Sequence, residues 1–313
     1  MFSGSAHPAF AAEMCQILGV ELCHTRTTRF SNDCLQVQLR ANCRLRDVYI
    51  VQSLVPPVQE NLFELLLMLD AARGASAAHI TAVIPHFAYA RSDKKDAPRI
   101  SIGARLVADM LSAAGATRVL TMALHAPQVH GFFSVPVDHL NALEVLADHF
   151  RPTDLANTVV VSPDLGNAKM ATAFARLLDV PVAAGSKRRL SDDSVVIDRI
   201  VGDVHDRDVI VLDDEIATAG SIIELLRKLR EDGVRRIALA CTHGLFTGPA
   251  IERLKRESDI AEIVVTNTVP LPPEKRLPNI VTRSVAPLFA EAVHRIHVGE
   301  SISSLFSSEE TYG

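Results

Sequence analysis

Short runs of Val, Ile and Leu recur along this chain, several with no polar interruption, and stretches of helical period separate them. The runs are Val48–Gln52, Ile80–Pro85, Val119–Leu124, Thr158–Ser162, Val209–Leu212, Ile237–Cys241 and Ile263–Thr266. An unbroken aliphatic run suits a parallel strand buried on both faces; a strand with one wet face would alternate. Between the runs, Asn61–Arg73 places Leu62, Leu65, Leu66 and Leu69 on one stripe, and Ile102–Ala114, Ala168–Leu178 and Ile222–Asp232 follow the same period. Strands alternating with helices predict an α/β fold with mainly parallel sheets flanked by helices. The strand count is large for one sheet, and Arg151–Thr153, with Pro152, falls near the middle of the 313 residues. The expected division is two similar α/β domains, 1–143 and 144–313. One more helix, Pro287–Ile296, lies near the end of the chain.

Hydrophobic residues at 48% supply a core, and charged residues at 22% argue against disorder. A formal net charge of -5 leaves no basic footprint for nucleic acid. The five cysteines are odd in number and show no CxxC spacing, so free thiols are expected rather than disulfides or zinc. Met1–Val20 lacks a basic start and carries Glu13, a poor signal peptide. No apolar stretch is long enough to span a bilayer. A cytoplasmic protein with no membrane partner is the expectation.

The segment Val209-Ile210-Val211-Leu212-Asp213-Asp214-Glu215-Ile216-Ala217-Thr218-Ala219-Gly220-Ser221 runs from a strand, through two carboxylates, into a small-residue turn and a helix. In open parallel sheets, ligands collect at the carboxyl ends of strands. Amides of the Thr218–Ser221 turn would face one anion, aided by the helix dipole. Asp213 and Asp214 would hold sugar hydroxyls, directly or through a cation. The same residues also suit a plain strand-to-helix turn with a capping serine. Four further segments follow strands. They are Ser162 to Lys169 with Asp164, Lys187-Arg188-Arg189, Tyr89 to Lys95 with Arg91, Ser92 and Asp93, and His125 to Phe133. Taken singly, Ser162 to Lys169 reads equally well as a common Asp–x–Gly turn, Lys187-Arg188-Arg189 is the kind of run that more often is a solvated basic turn, and a lone histidine such as His125 is more often a structural hydrogen-bonder. Together they point to a site that holds several phosphates.

In this order, these segments resemble those of the ribose-phosphate pyrophosphokinases, which make phosphoribosyl diphosphate. The likeness covers nearly the whole chain. It runs from Phe2-Ser3-Gly4 with His7-Pro8 through Arg29-Phe30-Ser31-Asn32, Gln52-Ser53 and Asp93-Lys94-Lys95. It continues through Pro136-Val137-Asp138, Thr242-His243-Gly244 and Val265-Thr266-Asn267-Thr268 to Gly299-Glu300-Ser301. The resemblance implies two phosphoribosyltransferase-like domains, with the final helix packing back on the first. It implies transfer of the diphosphoryl group of ATP, with Mg²⁺, to the C1 hydroxyl of ribose 5-phosphate. It also implies a homo-oligomer, because the family's adenine pocket borrows a loop from a neighbouring subunit, and Phe30–Cys34 matches that loop. By position, Phe30 and Asn32 would contact adenine, while Arg91, Ser92, Asp93 and His125 would bind the rest of ATP. Lys187 and Arg189 would be catalytic. Asp164, Asp213 and Asp214 would line the ribose, and Thr218, Ala219, Gly220 and Ser221 would take its 5-phosphate. His125 and Asp164 would sit at the metal.

The chain departs from the family pattern inside the site. Ala123-Leu124-His125 stands where the family has Asp–Leu–His, and that Asp is a metal-site carboxylate. Ser134, Ser92, Cys34 and Ala217 replace other polar or acidic family residues, and Glu215 stands where an apolar residue is usual. Two readings of the residues therefore stand. One is an active diphosphokinase that keeps Lys187, Arg189, Asp213, Asp214 and His125. The other is a non-catalytic or regulatory paralogue that binds nucleotide or sugar phosphate and assembles with an active synthetase.

Overall fold

Branched aliphatic residues fill a run of parallel strands because both faces of each strand are covered. In the computed structural model of the chain, residues 1–191 and 194–305 are described, and the side chains of residues 127, 187–191 and 194–197 lie outside that description. The chain divides into two units. The first comprises Met1–Asn141, Thr268–Pro270 and residues 285–305; the second comprises Ala142–Asn267 and Leu271–Ser284. The expected division at 143 left Thr268–Pro270 in the second domain, whereas the contacts group them with the first unit; the final helix region is also grouped with that unit.

In the first unit the elements run β1 (Phe2–Ser3), α1 (Pro8–Leu18), β2 (Thr25–Arg29), β3 (Leu35–Leu39), β4 (Asp47–Val51) and α2 (Val58–Gly74). They continue as β5 (His79–Ile84), α3 (Gly103–Ala114), β6 (Arg118–Met122), a 3₁₀ turn at Pro127–Phe132 and β7 (Val137–Leu140). Five strands form a parallel sheet in the order β1-β4-β5-β6-β7. Ile50, Leu54, Leu65, Met68, Leu69 and Ile84 are fully buried in its core. Strands β2 and β3 form a separate antiparallel ribbon whose tip carries residues 30–34.

The second unit runs α4 (Leu143–Phe150), β8 (Thr158–Ser162), α5 (Ala168–Leu178), β9 (Val182–Ser191), β10 (Ser194–Val201), β11 (Asp208–Ile216) and α6 (Gly220–Glu231). Then come β12 (Arg236–Gly244), α7 (Ala250–Arg256), β13 (Ile260–Thr266) and β14 (Ile280–Arg283). The last helix, α8 (Ala286–Val298), packs on α1 in the first unit, where Phe10 and Phe289 meet edge to face at 5.4 Å. The seven-stranded sheet has the order β10-β9-β8-β11-β12-β13-β14, parallel except for the β9–β10 pair. After β8 the chain adds β9 on one side and β11 on the other, so the order reverses between β8 and β11. In open sheets of this kind the ligand crevice lies outside the carboxyl ends of the strands at such a reversal.

Two local expectations are revised. The strand expected to end at Leu212 continues to Ile216, because β12 also runs on and pairs Asp213 with Cys241, Glu215 with His243 and Ile216 with Gly244. The acidic pair, expected at the strand end, thus lies within the strand, and the turn begins after Ile216. Lys187-Arg188-Arg189, expected in a turn after a short strand, lies within the ten-residue strand β9, where antiparallel pairing with β10 fixes its backbone.

Candidate active site

At the sheet reversal, β8 and β11 run side by side in register from Thr158↔Asp208 to Val161↔Val211. Their next residues therefore emerge together. On β11, Asp213 is 9% and Asp214 5% exposed. Burial of two adjacent carboxylates requires donors, since an unpaired buried charge is costly. Asn167, at the start of α5, donates from Nδ2 to Oδ1 of Asp213 (3.2 Å) and of Asp214 (3.4 Å), and the Asp214 amide donates to Asp213 Oδ1 (2.9 Å). The Asn167 amide donates in turn to Asp164 Oδ1 (2.9 Å), and the Ser162 hydroxyl donates to the Asp164 carbonyl (2.6 Å). The expected ribose carboxylates Asp164, Asp213 and Asp214 are thus brought to one place. Behind them Cys241 is fully buried; burial, then the charges of Asp213, Asp214 and Glu215, push its thiol well above the usual range, so it stays protonated.

Beyond the pair, the chain turns sharply. Ala219 is 4% exposed and takes the left-handed conformation (φ 60°, ψ 8°), a region that costs an L-residue roughly 1–2 kcal/mol. The first intrahelical bond of α6 runs from the Ile223 amide to the Ala219 carbonyl (3.0 Å), and no side chain caps the helix. The amides of Gly220, Ser221 and Ile222 therefore face outward with the positive end of the dipole, and exposed Thr218 and Ser221 hydroxyls flank them. Such a terminus is a ready cradle for an anion. The turn is held from behind. The Thr218 carbonyl accepts from Arg253 Nη1 (2.9 Å), and the Phe246 and Thr247 amides donate to the carbonyls of Ile216 (3.0 Å) and Ala217 (2.9 Å). Gly244 leaves room for this loop, since a Cβ there would lie 2.8 Å from the Phe246 ring.

In the first unit, the loops after β5 and β6 meet. Gln128 Nε2 donates to Asp93 Oδ2 (2.5 Å), which ties the Tyr89–Lys95 loop to the loop that carries exposed His125. Arg91 is exposed on the first of these loops. Ser92 serves the fold, because its Oγ accepts the Gly103 amide (2.9 Å) and so caps α3. The Leu124 amide donates to His139 Nε2 (2.8 Å) and the Ala123 amide to the Leu140 carbonyl (2.9 Å), which fixes the entry to the His125 loop. Burial, then His130, push the His139 imidazole down to about 4, in keeping with a neutral ring that accepts at Nε2. On the β2–β3 ribbon, Phe30 is 49% exposed, and Asn32 Oδ1 accepts the Cys34 amide (3.2 Å), which shapes the tip. Lys187 and Arg189 lie on β9; their side chains are outside the described residues.

Among the described residues, no three His, Cys, Asp or Glu side chains converge as a metal cage. That donor set fits Mg²⁺ only in its usual nucleotide mode, with one or two carboxylates, water and substrate phosphates. An Asp164 oxygen suits so hard an ion; the imidazole of His125 is a softer donor, better matched to phosphate oxygens. Three residues that organise the site carry no sequence signal of their role: Asn167, Arg253 and His139. Each acts through a contact made by tertiary structure. Asn167, beside Asp164-Leu165-Gly166, offers at most the signature of a helix cap.

The family model for the N-terminal domain of ribose phosphate pyrophosphokinase matches residues 1–115, and that for the phosphoribosyl synthetase-associated domain matches residues 196–307. A Streptomyces coelicolor protein, provisionally named ribose-phosphate pyrophosphokinase, is 64% identical over 308 residues, covering 98% of this chain and 97% of the relative. The ribose-phosphate pyrophosphokinase of Deinococcus radiodurans is 48% identical over 312 residues, with 98% and 97% covered. The crystal structure of phosphoribosylpyrophosphate synthetase from Mycobacterium smegmatis superposes with a TM-score of 0.89 at 38% identity, over 95% of this chain and 98% of that one.

Proposed function

The chain belongs to the ribose-phosphate pyrophosphokinase family, and we propose that it transfers the diphosphoryl group of ATP to the C1 hydroxyl of ribose 5-phosphate, giving phosphoribosyl diphosphate and AMP. One observation carries the sugar-phosphate half of this reading. A buried acidic pair near the end of β11 is followed, after one short turn, by an uncapped helix N-terminus at the sheet's order reversal. An anion held by the Gly220–Ile222 amides would present the attached sugar ring, and its hydroxyls, to the carboxylates.

Phosphoryl transfer is mostly positioning and charge neutralisation. In this reading Asp213, Asp214 and Asp164 accept hydrogen bonds from ribose hydroxyls, and Thr218, Ala219, Gly220 and Ser221 hold the 5-phosphate. Arg91 and His125 hold the phosphates of ATP, with Asp93 fixing the loop pair and Ser92 the start of α3. Phe30 stacks on adenine and Asn32 shapes the loop beside it. Lys187 and Arg189 neutralise the charge that spreads over the transferred group. Mg²⁺, held through Asp164, water and the substrate phosphates, supplies further neutralisation of that charge. A homo-oligomer supplies each site with a ribbon tip, and the protein acts in the cytoplasm.

The test is direct. Protein mixed with ATP, Mg²⁺ and ribose 5-phosphate is expected to release AMP, and Lys187→Ala to slow this about 10²–10³-fold. No AMP under several metals and pentose phosphates, together with co-purification of an active family member, would replace this reading with that of a regulatory paralogue.

A further inference from the structure

Asn167 opens α5 at the N-cap position, where an asparagine normally accepts a helix amide with its own side chain. Here no side-chain cap bond forms. The side chain instead reaches across the sheet reversal, and its Nδ2 lies within hydrogen-bond distance of Oδ1 on both Asp213 and Asp214. Only this orientation of the amide is compatible with ionised carboxylates, because its oxygen would repel them. The main-chain amide of the same residue holds Asp164 Oδ1 at 2.9 Å. One residue thus ties together three carboxylates drawn from two strand ends, with Asp213 and Asp214 lying 46 and 47 positions beyond it in sequence.

We infer that Asn167 is a positioning residue for the sugar site, its amide bridging Asp213 and Asp214 so that both carboxylates stay in the orientation that accepts ribose hydroxyls. The inference rests on the ribose 5-phosphate reading of the site. Two buried like charges side by side repel each other. An amide donor between them offsets this without adding a charge. A lysine in the same place would form an ion pair and compete with the cation that accompanies the substrate phosphates. The bridge also couples the loop after β8 to β11, so its loss would loosen the sugar end of the site and leave the first unit untouched.

The experiment compares wild type with Asn167→Leu, which removes the donor at similar size, Asn167→Asp, which places a third carboxylate against the pair, and Asn167→Gln, which keeps the amide. The expected result for N167L is a KM for ribose 5-phosphate about tenfold higher, with the KM for ATP within about twofold. N167D shifts the same constant further, and N167Q recovers most of the loss. Thermal melting confirms that each variant is folded, and N167D keeps the inference falsifiable if N167L is not. Equal KM values for ribose 5-phosphate across folded variants, or parallel losses for both substrates, would overturn the assignment. Calorimetric titration with ribose 5-phosphate alone separates this claim from the activity. A wild type that makes no AMP yet binds the sugar phosphate about tenfold more tightly than N167L sustains the role of Asn167 while the proposed reaction fails. Equal binding by the two overturns it.

Discussion

His139 shows how much one side chain can decide. Its Nε2 accepts the Leu124 amide at 2.8 Å, and an imidazole protonated at that nitrogen would present a donor to a donor. The folded-state value of about 4 lies below the ordinary 6.5 of an unfolded chain, with burial the main cause and His130 the second. Between those values the unfolded state binds the proton that the folded state refuses. The contribution of the neutral ring to stability is therefore complete above pH 6.5 and is lost as pH falls towards 4. For this one group the full loss is on the order of 3 kcal/mol. His139→Gln keeps an acceptor at a similar reach and has nothing to titrate. Urea denaturation of wild type and H139Q across this window is expected to show the wild type losing that much more stability. Parallel pH profiles would mean that the ring does not hold the Leu124 amide as a neutral acceptor.

Helix α2 is where elements of the first unit are joined. Glu64 is 1% exposed, yet no cation neutralises it in its hydrogen-bond set. Its Oε2 accepts the Ser5 amide (3.0 Å), the Ser5 hydroxyl (2.6 Å) and Gln52 Nε2 (2.7 Å), and its Oε1 accepts the Thr27 hydroxyl (2.6 Å). A single carboxylate so fastens the turn before α1, the end of β4 and the β2–β3 ribbon, while Glu60 one turn earlier pairs with Arg29 on the same ribbon. Glu64→Leu strands these donors without acceptors and is expected to cost roughly 3–5 kcal/mol in urea denaturation. Glu64→Gln is expected to cost about 1–2 kcal/mol, because the Thr27 hydroxyl can turn to accept. An E64L protein within about 1 kcal/mol of wild type would show that the bonds are not made together. Such junctions also mark the limit of what the sequence discloses. Strands β4, β5, β6, β8 and β12 were legible because burial on both faces leaves an unbroken aliphatic run. The ribbon strand β3 alternates Leu35, Val37 and Leu39 with glutamines, the pattern of a strand covered on one face, and continuous runs do not find it. Strand β9 ends in Lys187-Arg188-Arg189-Leu190-Ser191, whose polarity gives no hint that antiparallel pairing with β10 extends it. The pair Asp213-Asp214 was legible because it follows its run directly; the bridge from Asn167 was not, since it exists only once β8 and β11 lie in register.

At the scale of the whole molecule, the proposed reaction would draw cations and imidazole for ATP from the loops after β5 and β6, and carboxylates and an anion cradle for the sugar phosphate from the β8–β11 reversal. The β2–β3 ribbon belongs to neither large sheet and carries a large aromatic, Phe30, 49% exposed at its tip. A side chain of that size, left in water in one copy, suits a base-stacking surface in a symmetric assembly. If the ribbon completes the site of a neighbouring copy, defects in ribbon and strand β9 lie in different subunits of one site and can be sorted apart. Phe30→Ala, assayed at ATP below its KM, is expected to be slowed about ten- to a hundredfold by lost stacking, and Lys187→Ala more strongly still. Co-expression of the two variants, with separate affinity tags and sequential purification of mixed assemblies, makes some sites from an intact ribbon and an intact Lys187. With random mixing these are roughly a quarter of all sites in a symmetric oligomer, and a comparable share of wild-type activity is expected to return. If each subunit uses its own ribbon, every site carries one defect or the other, and the mixed assemblies can do no better than the average of the two variants measured alone.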